Sequence, residues 1–381
     1  MLAFLGFKGR VTTVGVDLGT TFSVVGFSKN GKVTIVQDKQ GNRIFPSIVS
    51  YFEDGQILAG YDALPYMATH PKSTIFNAKR FIGRSEDDPE FHAYADAHPF
   101  KVIAIDSPQI SNYSKVGFEL LVKGEKKVVA PEQVGTQVLK YLMDITADFL
   151  GHRQVTKAII AVSAKFTAQQ RQATGEAYRR AGLKVIRVLE EPTAAAVAYR
   201  LHKRKDIHHI LVYDFGGGTL DVSLLFVSKG SVQVYATDGD DALGGSDLDL
   251  CMYGIVKAKV ESQLGSAVKT LAEADLREGG RSRNELCLTS SLRNVAEEVK
   301  KKLTYADSVD AGCYPPGDSA APAIAFSVSR EEFETGCDAL FQQSMLPVTR
   351  LLGDLGQSSY VFFMLCYVVL CYVSEMNLLN E

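Results

Sequence analysis

The sequence feature that most constrains the fold is a pattern that occurs twice. In each copy a strand-like apolar run ends in Asp, a glycine-rich turn with Thr follows, and a second strand-like run comes next. The copies read VGVDLGTTFSVVGF at residues 14–27 and LVYDFGGGTLDVSLLF at residues 211–226. Two copies this far apart predict two similar lobes. Short runs rich in Val, Ile and Phe alternate with longer helical patterns elsewhere, which favours an α/β fold.

Two helices and one loop can be placed from local patterns. Apolar residues recur at three- and four-residue steps over residues 131–150, and Gly151 follows, which predicts a helix that ends there. A second helix is predicted from Thr167, a suitable N-cap, to Gly182. Residues 311–322 are rich in Pro, Gly and Ser and predict a loop. We interpret both helices as scaffold.

Each of the two turns offers a polyphosphate the groups that bind it. Glycines let the backbone come close with its N–H groups free, and threonines add hydroxyl donors. Asp17 and Asp214, at the strand ends, supply hard oxygen ligands that suit Mg²⁺, reached through its waters. No G-K-[ST] follows the glycines, so neither turn is a Walker A loop. The candidate phosphate-binding residues are Gly19, Thr20, Thr21, Phe22, Gly216, Gly217, Gly218 and Thr219.

A third segment, LEEPTAAAVAY, contains a strand-to-helix turn. Pro192 suits the first turn of a helix, so Glu191 lies at the point where a strand gives way to an Ala-rich helix. A carboxylate there can orient a water or a metal. It can equally serve only to cap the helix, and the spacing alone leaves both interpretations open.

These segments, together with NAKRFIG and ALGGSDLD, resemble in order the motifs of the ATPase domain of the heat-shock-70 (DnaK-type) chaperones, from about residue 11 to 352. Within that family the chain is most similar to a short microsomal member that has the ATPase core only. The resemblance implies an actin-like ATPase fold with two lobes, each built on a duplicated ribonuclease-H-like mixed sheet with flanking helices. Lobe I would span residues 1–205, an incomplete lobe II 206–356, and a divergent hydrophobic tail 357–381.

The resemblance also implies ligands and roles. The ligands are ATP or ADP and Mg²⁺, with K⁺ as a further cation; Asp17 and Asp214 would hold the magnesium. The residues implied to act on the γ-phosphate and the attacking water are Lys79, Glu191, Asp214 and Thr219. Asp221 would support the Gly216–Gly218 turn on the phosphates. Gly244 and Gly245 would face the nucleotide, with Asp247 and Asp249 nearby. One helical face would contact adenosine through Glu297, Lys300, Lys301 and Thr304; without the resemblance, this charged face would be read as solvated.

The chain departs from the family pattern in three places. Glu190 stands where Asn is usual and Ser246 where Glu is usual, and the extra carboxylate would repel Glu191. After Leu352 no V-G-G-S-x-R-I-P loop follows, so we expect a shortened core with weaker nucleotide affinity. The apolar run 360–373 is shorter than the ~20 residues that a membrane helix needs. We interpret it as a buried element or a non-native tail, with a membrane anchor as the minor alternative.

Composition limits the partners and the compartment. The net charge of −3 provides no basic field for nucleic acid. All six cysteines lie from Cys251 onward and form no C-x-x-C pair, so we expect no zinc site and a reducing compartment. Residues 1–10 have no basic n-region and no clear cleavage site, so we expect no signal peptide. The cytoplasm is therefore expected, with the endoplasmic reticulum as the alternative that the microsomal relative suggests.

We therefore predict an ATP-hydrolysing, monomeric chaperone-type domain without its own peptide-binding domain, served by nucleotide-exchange factors and J-domain proteins. One alternative is a non-catalytic regulatory form that binds partners. Another is a sugar or acid kinase of the actin-like superfamily, which the Glu191-Pro192-Thr193 and LGGSDLD segments argue against.

Overall fold

A computed structural model describes residues 9–88, 91, 95, 98–122, 124–264, 286–315 and 322–353, and the backbone of 362–367 and 371–372. The chain divides into two compact units. The first comprises Met1–Asp214, Ser223–Thr237 and Ser359–Glu381, and the second comprises Phe215–Val222 and Asp238–Ser358. The lobe boundaries expected from the sequence stay predictions.

The first unit is built on a six-stranded mixed sheet with the order β12-β11-β1-β2-β3, and β4 pairs with β2 beside this path. Strand β1 runs parallel to β11 and antiparallel to β2. Two three-stranded sheets, β10-β9-β8 and β6-β5-β7, accompany it. The strands are β1 Thr13–Leu18, β2 Phe22–Lys29, β3 Lys32–Ile35, β4 Phe45–Pro46, β5 Val49–Tyr51, β6 Ile57–Ala59, β7 Thr74–Ile75, β8 Lys101–Ala104, β9 Val116–Val122, β10 Glu125–Val129, β11 Lys157–Val162 and β12 Lys184–Glu190.

The helices of the first unit are α1 Tyr66–Thr69, α2 Pro131–Leu150, α3 Ala168–Arg180 and α4 Glu191–Ala198, with 3-10 turns at Gly60–Asp62, Ala78–Arg80 and Leu201–Lys203. Helix α2 has the predicted bounds, and Gly151 ends it at φ +71°. Thr167 caps α3 by accepting a hydrogen bond from the Gln170 N–H, as predicted. The two helices pack against each other, and their buried Leu139, Leu142 and Tyr178 belong to the same hydrophobic core as side chains of β1 and β11.

A further sheet has the order β15-β14-β13-β18-β19. Its strands are β13 His209–Phe215, β14 Leu220–Ser228, β15 Ser231–Asp240, β18 Phe362–Tyr367 and β19 Cys371–Tyr372. The second copy of the repeated pattern is therefore β13, a turn and β14, followed by β15, as the first is β1, a turn and β2, followed by β3. Part of the apolar run 360–373 forms strands in this sheet, and the rest lies outside the described residues.

The second unit contains α5 Gly245–Leu264, α6 Thr289–Lys302, α7 Arg330–Gly336, α8 Asp338–Gly353 and the hairpin of β16 Ser308–Cys313 with β17 Ile324–Ser329. Its core joins α5, α6 and the hairpin. The prediction of a loop from residue 311 was wrong at its start, because 311–313 pair with 324–326 as the end of β16. Residues 316–321 lie outside the described part.

Two disulfide bonds lie in the second unit. Cys251 of α5 bonds Cys337 between α7 and α8, and Cys287 before α6 bonds Cys313 of β16. The sequence motifs did not predict these bridges, because the bonded cysteines are 86 and 26 residues apart and form no C-x-x-C pair. Within the described residues, no helix combines the length and the apolar character that crossing a membrane requires.

Candidate functional site

The first phosphate-binding turn connects β1 to β2. A Cβ atom on Gly19 would lie 2.1 Å from the carbonyl oxygen of Phe22, so only glycine fits this turn. The Thr21 carbonyl accepts a hydrogen bond from the Ser47 N–H at 2.8 Å, which ties the turn to the neighbouring β4 segment. Gly19 and Lys79 line the same small cavity of about 20 Å³. The turn therefore lies beside the segment that carries Lys79.

The NAKRFIG segment holds Lys79 in the 3-10 turn Ala78–Arg80, which Asn77 enters with a left-handed φ of 56°. Gly83 ends the segment at φ +68°, and a Cβ atom there would lie 2.6 Å from the Gln170 Cα. The Gly83 N–H donates to Ser114 Oγ at 2.9 Å. The Lys79 backbone is thus fixed from both sides.

Lys79 and Glu191 form an ion pair in the first unit. Lys79 Nζ lies 2.8 Å from Glu191 Oε1, and the two side chains are only 14% and 17% exposed. Glu191 is the first residue of α4, directly after β12, as the sequence predicted. The Lys79 ammonium also lies 5.7 Å from the centre of the Phe166 ring. A cation and a carboxylate are therefore held together at the end of the sheet.

Asp17 shares the electrostatic environment of this pair. Asp17 is exposed as a residue, yet the surrounding protein displaces much of the water around its carboxyl group. This desolvation is the largest influence on the pKa of Asp17; the Glu191 charge also raises the pKa, Lys79 lowers it, and the net pKa is about 6. Asp17, Lys79 and Glu191 thus form one interacting group, which brings together three of the residues predicted from the sequence.

The second turn, Gly216–Gly218, is covered by the start of α5 within the second unit. The Gly245 N–H donates to the Gly216 carbonyl at 2.9 Å, and the Ser246 N–H and Oγ donate to the Gly217 carbonyl at 2.8 and 2.7 Å. A Cβ atom on Gly244 would lie 2.4 Å from the Gly218 Cα. Ser246, which departs from the family pattern, therefore holds this turn directly.

The charged face of α6 is only partly directed at these glycines. Lys300 Nζ lies 2.6 Å from Asp249 Oδ1 and donates to the Gly245 carbonyl at 3.2 Å. Burial is the main influence on Asp249 and raises its pKa. The positive charge of Lys300 opposes this rise. Glu297 and Lys301 pair with each other at 2.8 Å. Thr304 lies exposed beyond the end of α6.

The remaining predicted residues lie at strand ends, in the second turn and at the start of α5. Asp214 precedes the last residue of β13 and Asp221 lies in β14. The Gly216 N–H closes the turn on the Thr219 carbonyl at 2.8 Å. Asp247 accepts a hydrogen bond from the Gly244 N–H at 2.8 Å and so stabilises the start of α5. In the part of the chain that the structure describes, no three His, Cys, Asp or Glu side chains are grouped to hold a metal.

The extra carboxylate, Glu190, has its own partner. Arg171 of α3 lies 3.1 Å from Glu190 Oε1 and also donates to the carbonyls of Phe166 and Ala164 at 3.0 and 3.2 Å. The expected repulsion of Glu191 is therefore offset by a guanidinium group. Sequence reasoning missed Arg171 because the pattern identified α3 only as scaffold.

Comparison with known proteins identifies the family of the chain. The family model described as Hsp70 protein matches residues 13–360. The chain belongs to the Hsp70 family. Members of this family are ATPases, and their ATPase domain has the actin-like fold. The chain is 36% identical over 354 residues to a mitochondrial-type heat shock protein 70 from Encephalitozoon hellem. The match covers 92% of this chain and 55% of that protein, so the chain spans about half the length of its Hsp70 relative.

Proposed function

We propose that this chain binds ATP and ADP with Mg²⁺ and hydrolyses ATP, as the nucleotide-driven part of an Hsp70-type chaperone. The observation that carries the proposal is the Lys79–Glu191 pair at 2.8 Å in the field of Asp17. Phosphoryl transfer to water requires a cation, a carboxylate positioned by that cation and a second carboxylate.

Each residue has a role that follows from its chemistry. Lys79 contacts the γ-phosphate, and its ammonium orients Glu191. Glu191 accepts a hydrogen bond from the attacking water and aligns it with the phosphorus. Mg²⁺, when bound, offsets the phosphate charge, and the oxygens of Asp17 and Asp214 are of the type that holds it through its waters. Each glycine turn offers N–H donors of the kind that bind phosphate oxygens.

Titration calorimetry with ATP and ADP, with and without Mg²⁺, tests the binding. We expect magnesium-dependent binding by the purified chain and phosphate release that Lys79→Ala abolishes. A chain that binds neither nucleotide would overturn the proposal and favour the non-catalytic, partner-binding alternative. Sugar-dependent ADP release would instead favour a kinase.

We infer further that the protein acts in protein folding as a monomer, with J-domain proteins and nucleotide-exchange factors as partners and with K⁺ as a second cation. Family membership is what supports these assignments. Stimulation of phosphate release by a purified J-domain, measured in potassium and in sodium buffers, tests both. Equal rates of phosphate release with and without the J-domain would count against the partner assignment. Equal rates in potassium and in sodium would count against K⁺ as a second cation.

We also propose that the protein works in an oxidising compartment such as the lumen of the endoplasmic reticulum. The two disulfides support this location over the cytoplasm expected from the sequence, since such bonds persist in oxidising compartments and are rare in the cytosol. Alkylation of free thiols in freshly lysed source cells, followed by mass spectrometry, tests the proposal. Unmodified Cys251, Cys287, Cys313 and Cys337 are expected, and alkylation of these residues would contradict it.

A further inference from the structure

The segment that leads into the Gly244–Gly245 turn is held by two residues of α8. Arg350 donates to Asp238 through two nitrogens, Nε to Oδ2 at 2.5 Å and a terminal nitrogen to Oδ1 at 3.1 Å. Gln343 Nε2 donates to Asp240 Oδ2 at 2.7 Å. Residues 343 and 350 are separated by two helical turns and therefore lie on one face of α8. We call residues 238–240 with these two side chains the α8 clamp.

Each carboxylate of the clamp also shapes its own segment. Asp238 Oδ1 accepts a hydrogen bond from the Gly239 N–H at 2.7 Å, and Asp240 Oδ1 accepts one from the Ala242 N–H at 2.9 Å. The side chains from α8 thus bind carboxylates that are already oriented by the backbone. The two-point contact of the Arg350 guanidinium restricts rotation of Asp238 more than a single hydrogen bond would.

The path from the clamp to the glycine turn is short. Three residues separate Asp240 from Gly244, which touches Gly218, and from there Gly245 and Ser246 bond the carbonyls of Gly216 and Gly217. A displacement of residues 238–240 therefore moves the start of α5, and with it the donors that hold the Gly216–Gly218 turn. All of these residues belong to the second unit.

We propose that Arg350 and Gln343 are positioning residues for nucleotide binding: through Asp238 and Asp240 they hold the start of α5 against the Gly216–Gly218 turn. The expected effect on nucleotide affinity rests on the proposed function, whereas the clamp itself can be tested without nucleotide. Arg350 touches no nucleotide-binding residue named above, so its effect passes through the segment.

The test compares Arg350→Met with Lys259→Met. Lys259 is a matched control because its ion pair with Glu332, at 2.5 Å, joins two helices of the same unit away from the glycine turn. Hydrogen exchange of the Gly245 and Ser246 amides is measured without nucleotide, and the Kd for Mg-ADP is measured by calorimetry. We expect Arg350→Met to speed exchange of these amides about tenfold and to weaken ADP binding about three- to tenfold, and Lys259→Met to change neither.

A cycle with Asp238→Asn completes the design. If the clamp acts as one unit, Arg350→Met combined with Asp238→Asn has no larger effect than either single change. Unchanged exchange in Arg350→Met, additive effects in the double variant, or an equal rise in exchange throughout the second unit would each overturn the inference. If the unchanged chain fails to bind Mg-ADP, the proposed function fails, and the exchange measurements still decide whether the clamp exists.

Discussion

Lys79 Nζ lies 2.8 Å from Glu191 Oε1, which joins a 3-10 turn to the first residue of a helix 112 positions later in the chain. Both side chains are largely buried, so each charge depends on the other for compensation. Removing one partner leaves a desolvated charge, whereas removing both does not. Under the proposed function, the same pair serves both stability and chemistry.

Replacing either member of the pair should slow turnover strongly. We expect Lys79→Ala and Glu191→Gln each to lower kcat by about 10²–10⁴-fold, since each removes a group that acts on the phosphate or the water. Single-turnover phosphate release with bound ATP measures this. Because the two residues act together, the double variant should be no slower than the worse single variant. Additive losses would show that the residues act independently.

Mg-nucleotide affinity should fall in acid because of Asp17. Its pKa of about 6 means that the carboxylate becomes protonated below pH 6, and we expect the affinity to fall about tenfold per pH unit there. The effect on stability has the opposite sign: with a folded-state pKa above the ordinary 3.8, the contribution of Asp17 is greatest below pH 3.8 and is lost as the pH rises through 6. Calorimetry from pH 5 to 8 checks the affinity. The Asp17→Asn variant should bind Mg-nucleotide weakly at every pH. A steep pH dependence of the affinity in that variant would show that a group other than Asp17 titrates.

The contact between Gly244 and Gly218 should tolerate no side chain. A Cβ atom on Gly244 would lie 2.4–2.6 Å from three backbone atoms of Gly218, which cannot rotate away. We expect Gly244→Ala to lower the free energy of unfolding by about 1–3 kcal/mol and to weaken ADP binding at least tenfold. Gly254→Ala is the control, because its added Cβ in α5 would meet no atom within 4 Å beyond its own stretch of helix, and it should stabilise by about 0.5–1 kcal/mol. Equal urea midpoints for the two variants would contradict the steric argument.

Glu176 should contribute stability that depends on pH. Its hydrogen bonds with Arg179, and then with Arg180, lower the pKa of Glu176 to about 2. The stabilisation is therefore present above the ordinary pKa of 4.5 and is lost as the pH falls from 4.5 toward 2. We expect Glu176→Gln to cost about 1 kcal/mol at pH 7, because Arg179 is exposed and solvent screens the pair, and the cost should shrink by pH 3. Urea unfolding at pH 7, 4 and 3 measures the difference. A cost that does not vary with pH would attribute the effect to packing.

The two disulfides should stabilise the second unit unequally. The entropy of loop closure predicts about 4–5 kcal/mol for Cys251–Cys337 and about 3–4 kcal/mol for Cys287–Cys313, because the first closes 86 positions and the second 26. Urea unfolding of the double serine variant of each bridge, followed by fluorescence, measures the two costs. A larger cost for the shorter loop would indicate that packing around the buried Cys287 outweighs loop closure.

Local patterns predicted much of the fold. Helix α2 was predicted to the residue because its apolar period, Pro131 at the start and Gly151 at the end all agree. The two turns followed from their glycines and from the aspartates at the strand ends. Residues 311–313 were misassigned because their pairing partners, 324–326, lie beyond a Pro- and Gly-rich stretch that dominates the local composition.

Contacts between distant elements could not be predicted. The pairing of Arg171 with Glu190, the two disulfides and the α8 clamp all join elements whose approach depends on the tertiary fold. Lys79 entered the candidate site only through its family motif, because one lysine in a short turn carries no signal of its own. The roles of the adenosine-face residues Glu297, Lys301 and Thr304 stay predictions.

The buried Glu132 at the start of α2 couples two events during folding. Its side chain is fully buried and accepts hydrogen bonds from Ser111 Oγ and Ser114 Oγ, and Ser114 in turn binds the Gly83 N–H. A carboxylate can be buried at low free-energy cost only when hydrogen-bond donors such as these replace the water around it. We therefore expect helix α2 to dock only when the chain around 111–114 is ordered, and the bond from Ser114 to Gly83 links that ordering to the end of the segment that carries Lys79. Lys79 thus acquires its position in the same step that completes the core.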